Sequence, residues 1–380
     1  MTSHQRREQL PMIVRDPSAG HPLAFGSYRS WMRLLRDNGG VDRAFRDRAR
    51  LVSLASLCTL PLRLYERARY ASFLDSRVLQ APPIFIIGHW RSGTTHLHNL
   101  MCTDVNLGYV TTFQTLAPDA CLSGKQTIKR LLARFMPTTR MMDNMALSLD
   151  GPQEEEFALA NMSPHSFYHH WSFPRAARSY FDKYALFRQV SHSVVQEWKA
   201  LYLTMLRKAT HLMDGRQLVL KNPTNMGRIP LLLELFPNAK FVHIYRNPYH
   251  IFPSTYHFYS KTLPTTQLQQ IGLREIEANI LSFYQAIIRK FWADKALIPP
   301  QNLVEVRFED LEAQPYAEVG RMYEQLGLPR RPTAHAALQS YIKRHAEYQK
   351  NRFPIDRATT EKVDAHWSFA VEAWKYTVPR

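Results

Sequence analysis

The sequence predicts an α/β protein in which a central parallel sheet is flanked by helices. Short runs of strand length, rich in apolar residues, occupy residues 84–87, 217–221, 240–245 and 303–308. Segments with helical spacing separate them, and strands that alternate with helices form parallel sheets with helices on both faces. A basic residue lies at or just beyond the end of each of the first three strands, where ligands of such sheets bind.

Composition sets broad limits on function. The 380-residue chain carries a formal net charge of +17, which suits an anionic ligand, a nucleic acid or an anionic membrane surface without choosing among them. The length is sufficient for a sizeable core. Cys58, Cys102 and Cys121 lie far apart and match neither a disulfide framework nor a metal site, which favours a reducing compartment.

The N-terminal part predicts a polar tail followed by a helical lead-in. Residues 1–25 are polar and lack the apolar core of a signal peptide, which predicts a cytoplasmic protein. Residues 28–79 have helical spacing that Asn38-Gly39-Gly40 breaks into two helices. The apolar stretch 51–62 is shorter than the ~20 residues that span a bilayer. It is either a core helix or a helix that lies on a membrane surface.

Residues 82–101 predict an anion cradle. A buried strand, a loop framed by Gly88 and Gly93, and a helix follow one another, so that backbone N–H groups and the helix N-terminus face an anion. The G-x-x-x-x-G frame is that of the nucleotide-binding P-loop and predicts a three-layer P-loop-like fold. Thr94 stands where that loop would have Lys, and the fixed charge is Arg91 instead. Hydroxyl donors are supplied by Ser92, Thr94 and Thr95.

Three cations are predicted to converge on one edge of the sheet. Arg91 follows the first strand, Lys221 ends the second, and Arg246 follows the third. The carboxyl ends of parallel strands share an edge, so these charges suit a doubly anionic nucleotide. The remaining predictions are a strand over residues 108–113, helices over residues 125–135, 187–213 and 228–236, and a helix that begins at Asn247-Pro248.

The acidic segment 150–159 has two interpretations. With Asp150 or Gly151 as cap and Pro152 at the first position, it predicts a helix start whose three glutamates complement the helix dipole. Alternatively, one glutamate points inward as a general base. The aromatic and histidine-rich stretch 165–173 and the Met-rich stretch 141–149 are each predicted to line a pocket or to fill core.

Over about residues 82–311 the sequence resembles the sulfotransferases that use 3'-phosphoadenosine 5'-phosphosulfate (PAPS), and the lead-in is similar to that of a bacterial branch. The loop is similar to the family's 5'-phosphosulfate loop. The order strand, Lys221, helix, strand, Arg246, and then Ser254 eight residues later is similar to the family's core. The resemblance implies a lead-in at 1–80 and a sulfotransferase domain at 81–380. The implied PAPS ligands are Arg91, Ser92, Gly93, Thr94, Thr95, Arg246 and Ser254.

The general base departs from the pattern of the cytosolic members. Pro223 stands where they have a catalytic histidine. Other branches use a glutamate, so the resemblance implies Glu154 or Glu155 as the base, with His169 or His170 as alternatives.

Two further departures concern the nucleotide. His96 stands where many members have a tryptophan that stacks on adenine. The C-terminal phosphate clamp of the cytosolic enzymes is absent as written, and its proposed substitutes are His345, Lys350 and Asn351.

The implied reaction is transfer of a sulfuryl group from PAPS to an acceptor hydroxyl or amine, which leaves 3'-phosphoadenosine 5'-phosphate (PAP). Arg91 and the loop amides would stabilise charge on the leaving oxygen, Lys221 would approach the transferring group, and a carboxylate would remove the acceptor's proton. The chemistry requires no metal. The acceptor stays open among small molecules, lipids and carbohydrates, with Met141 and Met142 among its predicted contacts. The oligomeric state also stays open.

Two other functional classes of protein also bind anions. A P-loop kinase or NTPase would have Lys at position 94 and Mg²⁺ ligands, so Thr94 argues against this class. A non-catalytic basic protein that binds a polyanion would cluster its Lys and Arg residues and need no glycine loop. Here the basic residues are spread over the chain, and no nucleic-acid partner is expected. Peripheral membrane contact through the N-terminal helices stays an alternative to core packing.

Overall fold

The computed structural model describes residues 21–134, 136, 138–139, 145, 147–345 and 350–379. Its strands are β1 Ile84–Ile87, β2 Leu107–Gly108, β3 Gln217–Lys221, β4 Lys240–Tyr245 and β5 Leu303–Arg307. Within the described residues they form one parallel sheet in the order β2-β3-β1-β4-β5. The α/β class with a central parallel sheet is confirmed.

Helices cover both faces of this sheet. They are α1 Tyr28–Asp37, α2 Arg46–Cys58, α3 Leu60–Asp75, α4 Thr94–Met101, α5 Thr112–Leu116, α6 Thr127–Ala133, α7 Glu156–Met162, α8 Ala177–Tyr180, α9 His192–Leu212, α10 Ile229–Leu235, α11 Pro248–Thr266, α12 Leu273–Asp294, α13 Phe308–Ala313, α14 Pro315–Gln325, α15 Pro332–Arg344 and α16 Arg357–Ala373.

Side chains of the sheet alternate between two hydrophobic clusters. Phe85 and Phe241 belong to the larger cluster, which includes residues of α1, α2, α9, α11, α12 and α16. Ile84, Ile86 and Val242 belong to the smaller cluster, with residues of α4 and α14. Because successive residues of a strand point to opposite faces, this division places β1 between two helical layers.

The N-terminal helices join the larger cluster. The break at Asn38 to Gly40 is present, as predicted, but three helices follow Tyr28 rather than two, because Pro61 interrupts the second. Trp31 of α1 and Val52 of α2 are buried among core residues. Within the described residues, no helix combines the length and apolarity needed to cross a membrane.

The predicted strand over residues 108–113 is wrong beyond Gly108. Thr111 instead caps α5 through a capping box: its hydroxyl accepts from the Gln114 amide at 3.2 Å, and the Gln114 side chain accepts from the Thr111 amide at 2.6 Å. This reciprocal pair satisfies two N–H groups at a helix start and ends the strand.

The predicted helix start at Pro152 is also wrong. The segment runs extended, Thr111 and Pro152 form an antiparallel bridge, and α7 begins only at Glu156. The Gln153 amide donates to the Val110 carbonyl at 2.9 Å, so pairing with a distant segment replaces the local helix. Glu154 and Glu155 therefore precede the helix and lie where the chain turns from the bridge into α7.

Candidate active site

The loop between β1 and α4 has the shape of an anion cradle. Arg91 and Gly93 adopt positive φ angles of 70° and 96°, and Gly93 is the residue before α4. A side chain at Gly93 would collide with the Phe308 ring, so glycine is required there. The Ser92 hydroxyl is buried and donates to the His89 carbonyl at 2.7 Å, which fixes the turn from within. Thr94, the first residue of α4, is also buried.

Arg91, Arg246 and Ser254 lie together beside this loop. The Arg91 Nε donates to the Ser254 hydroxyl at 3.0 Å. The Arg246 Nη1 donates to the Arg91 carbonyl at 3.2 Å. Residue 246 follows β4 directly, and Ser254 lies on the second turn of α11, so the strand–helix connection brings both to the loop. The structure thus brings these three residues together, although Arg91 and Ser254 are 163 positions apart in the sequence.

Two cationic side chains, Arg246 and Lys350, lie against the ring of Phe308. The Arg246 guanidinium lies 4.3 Å from its centroid and the Lys350 ammonium 5.5 Å. Lys350 also donates to Glu312 at 2.6 Å. Burial lowers the pKa of Arg246, and its Nε has no hydrogen-bond partner among the described residues. A buried cationic donor without an acceptor is suited to an anion.

Lys221 and Glu154 form an ion pair at the end of β3. The Lys221 Nζ contacts the Glu154 Oε1 and donates to the Thr95 hydroxyl at 3.3 Å. The Glu154 Oε2 accepts from the Tyr168 hydroxyl, which itself accepts from the Trp90 indole at 3.2 Å. Since Trp90 belongs to the loop and Thr95 lies on α4, these contacts connect Lys221 and Glu154 to both the loop and the helix that follows it. Burial, followed by the charge of Glu154, raises the pKa of Tyr168 far above its usual value, so Tyr168 stays a donor.

Glu155 points into the core rather than toward Lys221. Its Oε1 accepts from the Tyr202 hydroxyl at 3.0 Å and from the Asn225 amide at 2.7 Å. Its Oε2 is buried without a hydrogen-bond partner in the described residues. Burial raises the pKa of this carboxyl to about 7, so a large fraction of it is neutral near pH 7.

Glu156 has a structural environment. Its carboxylate accepts from the Arg228 guanidinium at 2.6 and 3.0 Å, and both side chains are fully buried. The Ser166 hydroxyl and the Asn222 amide complete its hydrogen bonds. The Arg228 guanidinium holds the pKa of Glu156 below its usual value despite burial. This pair ties the start of α7 to the chain that follows β3.

The two alternative histidine bases are buried and hydrogen-bonded to backbone. The His169 Nε2 lies 2.8 Å from the Ser163 carbonyl, and the His170 Nδ1 lies 2.9 Å from the Phe167 carbonyl. Burial lowers the pKa of His169 to about 4 and that of His170 to about 3. Both imidazoles are therefore neutral and weakly basic at physiological pH.

The remaining positions predicted for the nucleotide are His96 and the C-terminal residues. His96 is half-buried on α4, and burial lowers its pKa, with a smaller opposing effect from the charge of Glu312. His345 and Asn351 are exposed. Met141 and Met142 lie outside the described residues.

An aromatic pocket adjoins the loop on the side of Trp90. The Arg91 guanidinium lies 5.8 Å from the Phe258 centroid, so the pocket wall and the loop share a contact. His170 stacks on Phe167 with centroids 4.1 Å apart. The lining residues are His89, Trp90, Phe167, His170, Trp171, Thr255, Phe258, Tyr259, Ile280 and Phe283. The cavity has a volume of about 10 Å³, so it is a small indentation whose aromatic lining suits an apolar group.

No role was predicted from the sequence for Trp90 or Phe308, and Tyr168 was predicted only as part of the aromatic stretch 165–173, without its contact to Glu154. Phe308 follows β5, so the rule that ligands bind beyond strand ends could have found it. No sequence signal links Tyr168 to Glu154, because their contact depends on tertiary packing. Among the described residues, no group of three or more His, Cys, Asp or Glu side chains is placed to hold a metal ion.

The sequence is similar to known sulfotransferases. The profile of the sulfotransferase family matches residues 82–332. The omega-hydroxy-beta-dihydromenaquinone-9 sulfotransferase Stf3 of Mycobacterium bovis is 32% identical over 357 residues, which cover 93% of this chain and 91% of that protein. The protein of the same name from Mycobacterium tuberculosis matches equally. The predicted resemblance to sulfotransferases is confirmed.

Two solved structures share the fold. Sulfotransferase STF9 from Mycobacterium avium has a TM-score of 0.66 at 15% identity, with 93% of this chain and 98% of that chain covered. Sulfotransferase STF1 from Mycobacterium tuberculosis has a TM-score of 0.63 at 18% identity, with 89% and 92% covered. At these identities the likeness concerns the fold, and it confirms the predicted P-loop-like architecture.

The environment of Glu155 predicts a pH-dependent stability. Since the pKa is about 7 in the folded chain and 4.5 without burial, the folded protein holds this proton more tightly. The contribution of this bound proton to the stability of the folded protein is complete below about pH 4.5 and is lost as the pH rises to about 7. Glu155→Gln removes this dependence. The free energy of unfolding of the variant relative to wild type should therefore rise by roughly 1.4 kcal/mol per pH unit across that window.

Urea titrations at a series of pH values measure this difference. Glu324→Gln, at a carboxylate that is 77% exposed, serves as the control and should follow wild type. Parallel curves for wild type and Glu155→Gln would show that the Glu155 carboxyl titrates normally.

Proposed function

The chain belongs to the sulfotransferase family, and from this premise we propose that it transfers a sulfuryl group from PAPS to a hydroxyl of an apolar, lipid-like acceptor. The observation that carries the proposal is the ion pair of Lys221 and Glu154 beside the loop of Arg91. It combines a cation for the leaving group with a carboxylate for the acceptor's proton. We propose PAPS as donor, PAP as product and no metal in the reaction.

Two sets of residues support PAPS as the donor. The loop amides, Arg91 and the hydroxyl of Thr95 suit the 5'-phosphosulfate, because the start of α4 favours negative charge. Arg246 and Ser254 suit the 3'-phosphate, and the unpartnered Nε of Arg246 fits an anion there. Lys350, on the same Phe308 ring, is the proposed substitute for the C-terminal clamp. Bound PAPS supplies the transferable sulfuryl group and a phosphate leaving group.

Arg91 and Lys221 would stabilise the charge that develops on the leaving oxygen. Lys221 is 2% exposed in its side chain, so its charge acts in a medium with little water. Thr95 orients the ammonium from the side of α4. Preorganised donors of this kind cost no reorganisation during the reaction.

Glu154 is the proposed general base, in preference to Glu155 and the two histidines. Its carboxylate is 13% exposed and contacts Lys221, whereas Glu155 is enclosed by Tyr202 and Asn225. Tyr168 holds the second carboxylate oxygen in place. In this arrangement, Glu154 accepts the acceptor's proton on the oxygen that faces Lys221.

The aromatic pocket supports an apolar acceptor. It adjoins Trp90, which is linked through Tyr168 to Glu154. The relative named above is a sulfotransferase of a hydroxylated menaquinone derivative. We therefore propose that the apolar part of the acceptor lies against the aromatic wall formed by these residues and presents its hydroxyl to Glu154.

Nucleotide binding tests the donor. Calorimetric titration should show tight binding of PAP and weaker binding of 5'-AMP, which lacks the 3'-phosphate. Arg246→Ala should weaken PAP binding by roughly 10- to 100-fold, because a hydrogen bond to a charged group is lost, and should affect 5'-AMP little. Arg216→Ala, at the opposite end of β3, is the matched control and should bind as wild type. An equal loss of affinity for PAP and 5'-AMP would show that Arg246 does not bind the 3'-phosphate. Tighter binding of Mg·ATP than of PAP would indicate a kinase.

Turnover tests the base. Glu154→Gln keeps the shape and the hydrogen-bond acceptor but cannot take a proton, so kcat should fall about 10²- to 10⁴-fold while PAP affinity stays within about threefold. Glu155→Gln should turn over as wild type at the same pH. Assays with PAPS and a long-chain alcohol, monitored by PAP release, give both rates. If Glu155→Gln were the slow variant instead, the assignment would be reversed.

A further inference from the structure

Helices α2 and α3 carry an unusual number of exposed apolar side chains. Six of the thirteen exposed large hydrophobic side chains in the described residues lie on them. Leu54, Leu64 and Tyr65 are 60%, 57% and 58% exposed. The six are Leu51, Leu54, Leu57, Leu62, Leu64 and Tyr65, and we call them the N-terminal apolar face. Contiguous apolar residues on a surface mark an interaction site.

The two helices form one continuous path. Only Thr59 separates them; its amide donates to Ala55 at 3.0 Å, and its carbonyl accepts from the Arg63 amide at 3.3 Å. With 3.6 residues per turn, the buried residues Val52 and Glu66 fall on one side and the apolar face on the other. The face therefore lies along the exposed side of a single helical rod.

The buried side of the rod carries charged side chains as well as apolar ones. The buried Glu66 carboxylate accepts from Lys208 at 2.8 Å and from the Ser123 hydroxyl at 2.9 Å. The buried Arg63 donates to the Ser56 carbonyl at 2.7 Å. The Glu66 bonds hold α3 against the protein, the Arg63 bond joins α3 to α2, and Leu62 and Leu64 face outward. Exposed leucines are unfavourable in water and favourable against hydrocarbon.

Exposed arginines are interspersed with the side chains of the apolar face. Six are exposed in and beside the rod: Arg43, Arg46, Arg50, Arg67, Arg69 and Arg77. Within residues 43–77, exposed acidic side chains are limited to Asp47 and Asp75, and Asp47 already pairs with Arg50 at 2.8 Å. Exposed leucines among arginines, with few acidic side chains, suit contact with the interface of an anionic membrane.

We propose that α2 and α3 bind the surface of an anionic lipid bilayer through the N-terminal apolar face and its arginines. The face would enter the boundary between head groups and acyl chains, and the arginines would contact lipid phosphates. Charge complementarity favours this occupant over a second copy of the chain, which carries the same positive charge on the same face. The proposal is independent of the donor and acceptor proposed above.

The face is fixed relative to the aromatic pocket. Arg48 of α2 donates to the Gln267 carbonyl at 2.7 Å and to the Pro264 carbonyl at 3.1 Å, at the end of α11. The same helix contributes Phe258 and Tyr259 to the pocket. Membrane binding would thus hold the pocket at a set distance from the bilayer, where an apolar acceptor resides.

Vesicle flotation of the full chain tests the proposal. Wild type should float with vesicles of phosphatidylcholine containing 30% phosphatidylglycerol (roughly the anionic surface assumed here) and much less with pure phosphatidylcholine. Leu54→Ser/Leu64→Ser should weaken binding more than about tenfold, because two leucines lose their apolar contact. Arg46→Gln/Arg67→Gln should weaken it by about fivefold per arginine and only on the anionic vesicles.

Val105→Ser/Leu297→Ser is the matched control, since these side chains are 59% and 56% exposed elsewhere on the protein. It should bind as wild type. Circular dichroism and the urea midpoint of each variant in solution verify that it is folded. Failure of wild type to float, or equal flotation of Leu54→Ser/Leu64→Ser, would overturn the proposal. So would a wild-type dimer in light scattering that this variant converts to monomer without any vesicle binding.

Discussion

The ion pair between Lys221 and Glu154 is the interaction on which the candidate site depends. Both side chains are largely removed from water, and a buried charge without a partner is strongly destabilising. The pair therefore holds the end of β3 against the extended segment that precedes α7. Tyr168 connects the pair to Trp90 of the loop, and Thr95 connects it to α4. In the proposed reaction, the negative charge that develops on the leaving oxygen would compete with Glu154 for the Lys221 ammonium. The Glu154 carboxylate would then be available to accept the proton of the acceptor hydroxyl.

Phe308 has a comparable role on the other side of the loop. It fills the space that a side chain at Gly93 would occupy, and it supports Arg246 and Lys350. An aromatic ring can separate two cations without neutralising either, because its faces attract positive charge. Arg246 thus remains available for an anionic ligand, whereas Lys350 also pairs with Glu312. The glycine, the ring and the arginine depend on one another.

The sequence predicts the parts of this fold that are set locally. β1, β3 and β4 lie at the predicted residues, because apolar runs bounded by Pro, Gly or Asn leave few alternatives. The predicted position of the start of α7 was wrong because Pro152 pairs with Thr111, some 40 residues away. The sequence near Pro152 contains no feature that indicates this bridge. Adjacent glutamates are equivalent in sequence, yet Glu154, Glu155 and Glu156 contact Lys221, Tyr202 and Arg228 respectively. Their roles follow from partners that are 47 to 72 positions distant.

The most direct test of the proposed site is a crystal structure of the chain with PAP and a long-chain primary alcohol. The arrangement described here predicts that the alcohol oxygen lies about 3 Å from the Glu154 carboxylate, with the chain of the alcohol in the aromatic pocket and the 3'-phosphate on Arg246. An alcohol oxygen that contacts His170 instead, with Glu154 still paired to Lys221 and remote from the ligand, would contradict the assignment of Glu154 as the base.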